Sequence, residues 1–507
     1  NCLSVEPVET EFGTKRRINQ SSCNKDFSCV NGFCPSFVTL EGATRRRKTA
    51  VEIDLAALGT GLPEPELPRL AGAYDLLITG VGGTGVITVG QLVTMAAHLE
   101  AKGATVLDFT GFAQKFGPVL SYVRLAAKPD AINQVRIDAG AADALIGCDI
   151  VVSSSPKASA AYRPGMKAVV NLAKMPTGDV IRRRDASLEV DRRLDAIRAA
   201  TGTGALSALD ANHLAEKLMG DAVFANVIML GFAWQTGLVP VGHAALAQAI
   251  VLNGAAVEAN HRAFLLGRIA AAKPDALGEM LRPKPAAAQT IAETIARREA
   301  FLTGYQDAAY AARYRAGVER MQAAEAPLGG SALTEAVAKS LFRLMAYKDE
   351  YEVARLHVQS GFAARLRSEF EGDFRIVHHL APPFLAAGTD ARGRPLKRAF
   401  GPWIRLPFRL LARMKRLRGT AFDPFGRTAE RRMERELIVW FEGLAARAAA
   451  EATPATRDAW AAILAMPQQI RGYGPVKEEA AAKMRREVDA ALARLAEAGS
   501  AVTAQAA

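Results

Sequence analysis

Four of the five cysteines in this 507-residue chain lie within its first 34 residues. Cys23, Cys29 and Cys34 follow one another at C-x5-C-x4-C spacing, and Cys2 lies upstream of them. Zinc sites usually pair Cys or His ligands across two to four residues, and no histidine lies near this segment, so zinc is the second interpretation. Iron-sulfur clusters take thiolates from loops, and ferredoxin-type runs end in Cys-Pro, as Cys34 and Pro35 do. The pattern favours an iron-sulfur site, with free reduced thiols in a surface loop as the remaining alternative.

A glycine-rich stretch, GVGGTG at residues 80–85, follows a predicted buried strand and opens a predicted helix. Gly80, Gly82 and Gly85 match G-x-G-x-x-G, and Gly83 adds a fourth glycine. Such glycines allow a tight turn and let a phosphate approach the free amides of a helix N-terminus. Asp108, at the end of the next predicted strand, is placed where a dinucleotide site has its ribose-binding acid. Three interpretations stay open: a dinucleotide site, a loop for another phosphate-bearing ligand or an interface, and close packing of helix against strand.

The sequence shows no nucleophile with a recognisable base. Its seven histidines are scattered, and neither G-x-S-x-G nor H-E-x-x-H occurs. The pair His378 and His379 is interpreted as lying at a helix end rather than in a metal site, because no cysteine is near it. We therefore assign no catalytic residue from the sequence.

The elements that must position these residues alternate between strand and helix from Tyr74 onwards. Strands are predicted at the stretches YDLLITGV, ATVLDFTG, VLSYVRLA, CDIVVSSSP and KAVVNLA, with a helix after the glycine loop. This order predicts an α/β fold with a doubly wound, mostly parallel sheet. After residue 179 the apolar residues recur at helical spacing almost throughout. The predicted divisions are a cysteine-rich segment 1–45, a proline-rich linker 46–73, an α/β domain 74–270, a helical connector 271–332 and an α-helical domain 333–507.

Composition and charge narrow the function classes further. The longest apolar runs are interrupted by polar residues and fall short of the roughly 20 residues that span a membrane, so we expect a soluble protein. Cysteines crowded at one end differ from a secreted disulfide framework, which favours a reducing cytoplasm. The net charge is +12, and residues 391–435 carry 14 Lys or Arg against three acids. The segment 400–419 interleaves Arg with apolar residues, and a solvated helix face is favoured there over binding of nucleic acid, membrane or an acidic protein.

Several stretches together resemble the indolepyruvate:ferredoxin oxidoreductases, within the 2-oxoacid:acceptor oxidoreductases. The first carries the cysteines and ends in SSCNKDFSCVNGFCPSFV, and the second is GVGGTGV followed by FAQKFGPVLSYVRL. The part from residue 74 to about residue 267, ending in EANHRAFLLG, is similar to the γ-type domain of that family. The stretches LMAYKDEYEVARL, FGPWIRLPFRLL, DPFGRTAERRMER and IRGYGPVKE resemble the C-terminal helical extension of the long fused bacterial form.

For the intact enzyme, the resemblance implies oxidative decarboxylation of an aryl pyruvate such as indolepyruvate. Coenzyme A would accept the acyl group and ferredoxin the electrons. Cys2, Cys23, Cys29 and Cys34 carry over as candidate ligands of one or more 4Fe-4S clusters, within a truncated ferredoxin-like segment. The chain would then be the electron-transfer and scaffolding part of the enzyme.

The resemblance also implies partners and a longer chain. Thiamine diphosphate and Mg²⁺ are expected in thiamine-diphosphate-binding domains of the same enzyme, because no G-D-G with a following Asn pair occurs here. We expect a C-terminal portion that is inactive in decarboxylation alone, since Cys2 would close an earlier C-x2-C-x2-C run. The glycine loop is then expected to face an interface or a coenzyme. We further expect a homo-oligomer without membrane or nucleic-acid partners; a free-standing NAD(P)-dependent oxidoreductase and a basic nucleic-acid-binding protein remain the alternatives.

Overall fold

The structure is a computed structural model in which the chain divides into two compact units. The first unit comprises Asn1–Asp26 and Arg47–Lys284, and the second Phe27–Arg46 and Pro285–Ala507. The residues that the structure describes, with side chains as far as residue 497, are 4–8, 10–13, 15–21, 23–32, 34, 37–46, 54–110, 117–175, 188–202, 206–278, 290–382, 388–390 and 396–506. The five predicted domain divisions stay a prediction.

The first unit contains a hairpin, a six-stranded sheet and the helices around that sheet. Its strands are β1 (Val5–Val8), β2 (Lys15–Ile18), β5 (Tyr74–Val81), β6 (Gly103–Thr110), β7 (Pro118–Ala126), β8 (Ala142–Gly147), β9 (Tyr162–Asn171) and β10 (Leu206–Leu209). Its helices are α1 (Leu55–Gly59), α2 (Val86–Leu99), α3 (Ile150–Ser153), α4 (Pro156–Ser159), α5 (Val190–Thr201), α6 (Ala211–Leu214), α7 (Ala225–Gln235), α8 (His243–Asn253) and α9 (Val257–Ala272).

The six-stranded sheet has the order β10-β9-β8-β5-β7-β6. Strands β5, β8, β9 and β10 pair in parallel, whereas β7 pairs antiparallel with both β5 and β6. Only residues 111–117 separate β6 from β7, which is too short for the crossover that a parallel pair needs. The predicted α/β fold with a mostly parallel sheet is therefore confirmed, with one strand, β7, running antiparallel to its neighbours.

Both faces of this sheet are buried, as a doubly wound fold requires. Leu76 and Ile78 point into one core, which they share with α2, α7, α8 and α9. Leu77 and Val81 alternate to the opposite face and pack with α3, α4 and α5. The continuous apolar run of β5 reflects this burial on two sides.

One predicted strand is wrong. In the stretch CDIVVSSSP the chain forms α3, and the strand lies just before it, at Ala142–Gly147. The side chain of Asp149 accepts a hydrogen bond from the amide of Val152 at 2.8 Å and so caps α3. Local capping overrides the strand preference of the β-branched residues that follow Asp149.

The second unit is mostly helical, as predicted for the C-terminal part. Its strands are β3 (Val38–Glu41), β4 (Thr44–Arg45), β11 (Phe370–Glu371), β12 (Arg375–Leu380) and β13 (Arg398–Phe400). Its helices are α10 (Ile291–Tyr305), α11 (Ala308–Glu325), α12 (Ala332–Met345), α13 (Glu350–Gln359), α14 (Phe362–Glu369), α15 (Arg405–Arg413), α16 (Ala429–Glu451), α17 (Arg457–Ala465) and α18 (Pro475–Ala506).

Two small sheets join the cysteine-bearing stretch of this unit to its later residues. Strand β12 pairs antiparallel with β3 and β13, and β11 pairs antiparallel with β4. Residues more than 300 positions apart in sequence are thereby brought side by side, which no local pattern could predict. Over the described residues, no helix is both long and apolar enough to cross a membrane.

Candidate functional site

The glycine loop, residues 80–85, joins the carboxyl end of β5 to α2 as the sequence predicts. Gly83 and Gly85 adopt left-handed backbone conformations, with φ of 80° and 92°, which L side chains rarely adopt. The amide of Gly82 donates to the carbonyl of Gly117 at 2.7 Å. Gly85 is the N-cap of α2 and supplies no side-chain cap. The first amides of α2 therefore depend on water, backbone or a ligand for acceptors.

Gly80 serves close packing. A Cβ atom at this position would lie 2.6 Å from Cγ2 of Val86 and 3.0 Å from Cβ of Cys148. Both neighbours are buried and have little room to move. The packing interpretation thus holds at Gly80, while a phosphate or interface role for Gly82, Gly83 and Gly85 stays a prediction.

Asn226 fixes the far side of the loop, and sequence reasoning missed it. Its Nδ2 donates to the carbonyl of Thr84 at 2.8 Å, and the Thr84 hydroxyl donates to the carbonyl of Val81 at 2.7 Å. Asn226 is buried in α7, a mostly apolar helix whose other buried amide side chain is that of Gln235. An amide in such a helix was the available signal, because buried polar groups are placed where they find hydrogen-bond partners.

Asp108 does not occupy the position of a ribose-binding acid. In a dinucleotide fold that acid lies on the strand next to the one that enters the glycine loop. Here Asp108 is on β6, and the antiparallel β7 lies between β6 and β5. The Asp108 carboxylate accepts a hydrogen bond from Ser121 of β7. Asp108 is therefore not on a strand next to β5, where a dinucleotide site has its acid.

The end of β8 places a buried thiol and a buried carboxyl beside the glycine loop. Burial, followed by the negative charge of Asp149, raises the pKa of the Cys148 thiol to about 12. Burial also raises the pKa of Asp149 to about 6 against the lowering effect of its amide partners. A thiol held neutral in this way is inert towards metals and oxidants. The structure thus agrees with leaving Cys148 out of the ligand set.

The three described candidate cysteines, Cys23, Cys29 and Cys34, are half-buried and are not joined in disulfide bonds. Cys23 belongs to the first unit, and the amide of Lys25 lies 3.4 Å from its sulfur, within hydrogen-bond distance. Cys29 and Cys34 belong to the second unit, with Cys29 in the short 3-10 turn Ser28–Asn31. Cys2 lies outside the described residues. Two of the four predicted ligands are thus placed in one unit.

Two residues from the distant helical region surround Cys34. The ammonium of Lys397 donates to the carbonyl of Cys34 at 2.6 Å. Burial lowers the pKa of Lys397, and the negative charges that Cys34 and Cys29 can carry oppose this effect. The Tyr473 hydroxyl is hydrogen-bonded to the Cys34 side chain, and burial, followed by Cys34, raises the pKa of Tyr473. Lys397 thus contacts the backbone of Cys34, and Tyr473 contacts its side chain.

This donor set fits the chemistry of an iron-sulfur cluster. Such clusters are held by thiolates, and hydrogen bonds and charges near the sulfurs set their potential. Over the described residues, however, no three Cys, His, Asp or Glu side chains are gathered so as to hold a metal ion. The chain thus supplies suitable ligands and neighbours, while an assembled cluster site is not part of the described structure.

The basic segment forms an amphipathic helix, as predicted, but with apolar residues on both faces. Phe408 and Ala412 of α15 are buried, while Trp403, Leu406 and Leu410 are exposed. Ahead of them in sequence, Lys397 is the residue that reaches Cys34. The sequence leads us to expect a polar exposed face, but the exposed surface of this segment also includes large apolar side chains.

His378 and His379 lie on β12, so their placement at a helix end is wrong. The His378 ring meets His357 edge-on at 4.6 Å and lies 5.4 Å from the Phe408 ring. The Nε2 of His379 is 2.9 Å from the Thr39 hydroxyl. These contacts make the pair a packing feature of the small sheet.

His378 gives the second unit a pH-dependent stability. Burial, followed by the charges of His357, Arg405 and His379, lowers the pKa of His378 to about 4. The unfolded chain, with an ordinary histidine pKa of about 6.5, binds more protons between these values, so stability should fall as the pH falls from about 6.5 to about 4. His378→Phe should flatten this part of the profile, measured by urea unfolding at a series of pH values. His98→Gln, at an exposed position, is the control, and an unchanged slope in His378→Phe would contradict the assignment.

Comparison with known proteins assigns the α/β part of the chain. Residues 75–270 match the family model described as pyruvate ferredoxin/flavodoxin oxidoreductase. Residues 291–490 match a second model, described as a family of unknown function (DUF6537). Residues 75–270 are therefore similar to a domain of the pyruvate ferredoxin/flavodoxin oxidoreductase family, and the resemblance to 2-oxoacid oxidoreductases is confirmed at that level.

Two curated relatives carry a more particular name. The chain is 28% identical over 200 residues to indolepyruvate oxidoreductase subunit IorB of Thermococcus kodakarensis, covering 38% of this chain and 94% of that subunit. It is 28% identical over 206 residues to the subunit of the same name from Pyrococcus horikoshii, with the same coverage.

Two solved structures resemble a similar share of the chain. Pyruvate oxidoreductase subunit PORC of Thermotoga maritima is 17% identical with a TM-score of 0.29, covering 39% of this chain and 96% of that one. The γ subunit of a keto/oxoacid ferredoxin oxidoreductase from Geobacter sulfurreducens is 22% identical with a TM-score of 0.28, covering 39% and 98%. At these TM-scores, neither likeness bears on function.

Proposed function

We propose that this chain is part of an oxidoreductase that oxidatively decarboxylates a 2-oxoacid, an aryl pyruvate such as indolepyruvate. The observation that carries the proposal is the match of residues 75–270 to the oxidoreductase family, together with the two archaeal subunits named for indolepyruvate. Coenzyme A would accept the acyl group, and ferredoxin the electrons. Thiamine-diphosphate-binding domains of the same enzyme would hold thiamine diphosphate and Mg²⁺.

Within this enzyme, the cysteine segment would carry electrons and the remainder would serve as scaffold. Cys2, Cys23, Cys29 and Cys34 would hold one or more 4Fe-4S clusters, which supply one-electron transfer when bound. Lys397 and Tyr473 support this assignment because they place a positive charge and a hydrogen-bond donor beside Cys34. The alternative, a reduced thiol on a surface loop, would not require either of these two neighbours.

The glycine loop has a different proposed role. The family implies no nicotinamide chemistry, and Asp108 lies on β6, two strands from β5, whereas a dinucleotide site has its acid on a strand next to β5. We therefore place Gly82, Gly83 and Gly85 at an interface or beside a coenzyme. The exposed basic residues of α15 would attract an acidic ferredoxin by charge. A homo-oligomeric assembly in the cytoplasm completes the proposal.

The experiment is anaerobic reconstitution of the full chain with iron and sulfide, followed by analysis for both elements. We expect bound iron and sulfide, broad visible absorbance, and an electron paramagnetic resonance signal after reduction. Cys29→Ser and Cys34→Ser should each lose most of the iron and the visible absorbance, because each removes a thiolate ligand.

Cys148→Ala is the matched control, since its thiol is buried and kept neutral. This variant should retain the iron and the spectrum of the unaltered chain. The cluster proposal is wrong if a Cys29→Ser, Cys34→Ser double variant keeps its iron. It is equally wrong if the chain takes up zinc alone, and tight binding of NADH would then favour the nicotinamide alternative.

A further inference from the structure

A pocket of about 580 Å³ lies between α16 and α18 in the second unit. Five of its lining residues come from α16, and Arg485 comes from α18. The five are spaced so that they share one face of the helix, and they are Arg432, Arg435, Glu436, Val439 and Trp440. We call this the arginine pocket. It falls within the segment whose matching family has no described function.

The three arginines of the pocket, two on α16 and one on α18, differ in their partners from Arg431 and Arg447 of α16. Arg431 pairs with Glu350, and Arg447 pairs with Glu451. Within the part of the chain that the structure describes, no ion pair is formed by Arg432, Arg435 or Arg485. The pocket therefore collects three positive charges against one carboxylate, that of Glu436.

Two of these guanidinium groups also have unmet hydrogen-bonding capacity. Nη1 of Arg435 and Nε of Arg485 are buried and find no acceptor among the described residues. Nη2 of Arg435 donates to the carbonyl of Gly426 at 2.8 Å, which holds that side chain in place. Buried charged donors that lack acceptors are costly, so a water or a ligand is expected to supply the acceptor beside them.

The remaining lining residues are apolar and indicate what else the ligand contains besides negative charge. The Trp440 ring lies 5.6 Å from the Arg485 guanidinium, and Val439 of the same face is 61% exposed. An aromatic ring and an exposed aliphatic side chain suit a flat apolar group, whereas guanidinium forks suit the oxygens of a phosphate. The excess of two positive charges matches a group that carries at least two negative charges. The pocket is open to solvent along one side, so a ligand would lie in it as in a groove.

We propose that the arginine pocket binds a phosphorylated ligand that carries an aromatic base, in the chemical class of the adenine nucleotides. Arg432, Arg435 and Arg485 bind the phosphate oxygens, and the base packs against Trp440 and Val439. Both a free nucleotide and the phosphoadenosine end of coenzyme A have this chemistry. The proposal does not depend on the iron-sulfur assignment, because no cysteine lines the pocket.

The test is calorimetric titration of the full chain with ADP, coenzyme A and inorganic phosphate in parallel. We expect ADP or coenzyme A to bind at least tenfold more tightly than phosphate, because only they reach Trp440. If ADP binds and coenzyme A does not, the site is one for free nucleotides, and tighter binding of coenzyme A identifies the coenzyme as the ligand. Failure of both to bind, or equal affinity for phosphate, overturns the proposal.

Substitutions make the assignment specific to these side chains. Arg435→Gln and Arg485→Gln should each weaken binding about tenfold or more, since each removes a charged donor. Arg486→Gln is the matched control, an exposed neighbour of Arg485 that does not line the pocket. Unchanged affinity in Arg435→Gln and Arg485→Gln would overturn the proposal.

A variant that binds the ligand more tightly is also needed, because a misfolded variant can lose binding but cannot gain it. Glu436→Gln removes the single carboxylate of the pocket, so it should tighten binding of the anionic ligand. Weaker binding in Glu436→Gln would contradict the proposed charge match. Iron content should stay the same in all four variants, which separates a failure here from a failure of the cluster assignment.

Discussion

Gly267→Ala is expected to destabilise the first unit by at least about 3 kcal/mol, a large effect for a single added methyl group. A Cβ atom at Gly267 would lie 2.0 Å from the carbonyl oxygen of Ile228 and 2.7 Å from the amide nitrogen of Phe232. These neighbours are backbone atoms of α7, which cannot rotate away as a side chain can. The two helices would have to separate, and packing across their whole contact would loosen.

The contact is reciprocal, which supports the size of the effect. A Cβ atom at Gly231 of α7 would lie 2.1 Å from the carbonyl oxygen of Phe264 in α9. The side chains around this crossing, including those of Trp234 and Phe264, belong to the main core of the unit. Separation of α7 from α9 therefore exposes apolar surface on both sides of the crossing.

The measurement is denaturant unfolding combined with hydrogen exchange of the α7 and α9 amides. Gly443→Ala is the matched control, because Gly443 lies inside α16 and an added Cβ there meets nothing within 4 Å. Alanine favours a helix interior by about 1 kcal/mol over glycine, so the control should be neutral or slightly stabilising. If the amides of α7 and α9 exchange as slowly in Gly267→Ala as in the unaltered chain, the two helices cross less tightly than the structure shows.

This crossing illustrates what the sequence could predict and what it could not. Helical periodicity predicts that residues 225–235 and 257–272 are helices, and both are. It cannot predict that Gly231 and Gly267 face each other, because that depends on the angle at which two helices cross. A glycine in a helix was the only local signal, and it is shared by many glycines with no such role.

The same limit applies to the candidate site. The glycine loop is predicted well, because its strand, turn and helix are consecutive in sequence. Lys397 and Tyr473 could not be predicted, since hundreds of residues separate them from Cys34 and only the fold brings them together. The position of Asp108 was misjudged for a related reason: the sequence orders the strands along the chain, whereas the sheet inserts β7 between β5 and β6.

Asp349→Asn is expected to destabilise the second unit by about 3–5 kcal/mol. The Asp349 carboxylate accepts two hydrogen bonds from the Arg418 guanidinium, at 2.5 and 2.8 Å, and the two side chains are only 3% and 2% exposed. Arg418 also donates to the carbonyl of Tyr305 at 2.8 Å, and its guanidinium lies 3.7 Å from the Tyr305 ring centre. Removing the negative charge leaves Arg418 charged and enclosed, which is the costly half of breaking a buried pair.

Asp349→Asn removes the charge of this side chain while keeping its role as a helix cap. Oδ1 of Asp349 also accepts the amide of Glu352 at 2.8 Å and caps α13, and an asparagine can keep that hydrogen bond. Arg418→Met should destabilise by a similar amount, because it leaves the carboxylate unpaired. The double variant Asp349→Asn, Arg418→Met should be more stable than either single variant, since no unpaired charge remains.

Urea unfolding of the four chains forms a double-mutant cycle that measures the coupling between the two side chains. Glu319→Gln is the control, because its ion pair with Arg315 is about half exposed and such pairs contribute at most about 1 kcal/mol. If the free energy of unfolding lost in the double variant equals the sum of the two single losses, the two side chains act independently. A coupling of more than about 2 kcal/mol would identify the pair as the electrostatic centre of a helical unit in which α10, α13 and the chain at Arg418 meet.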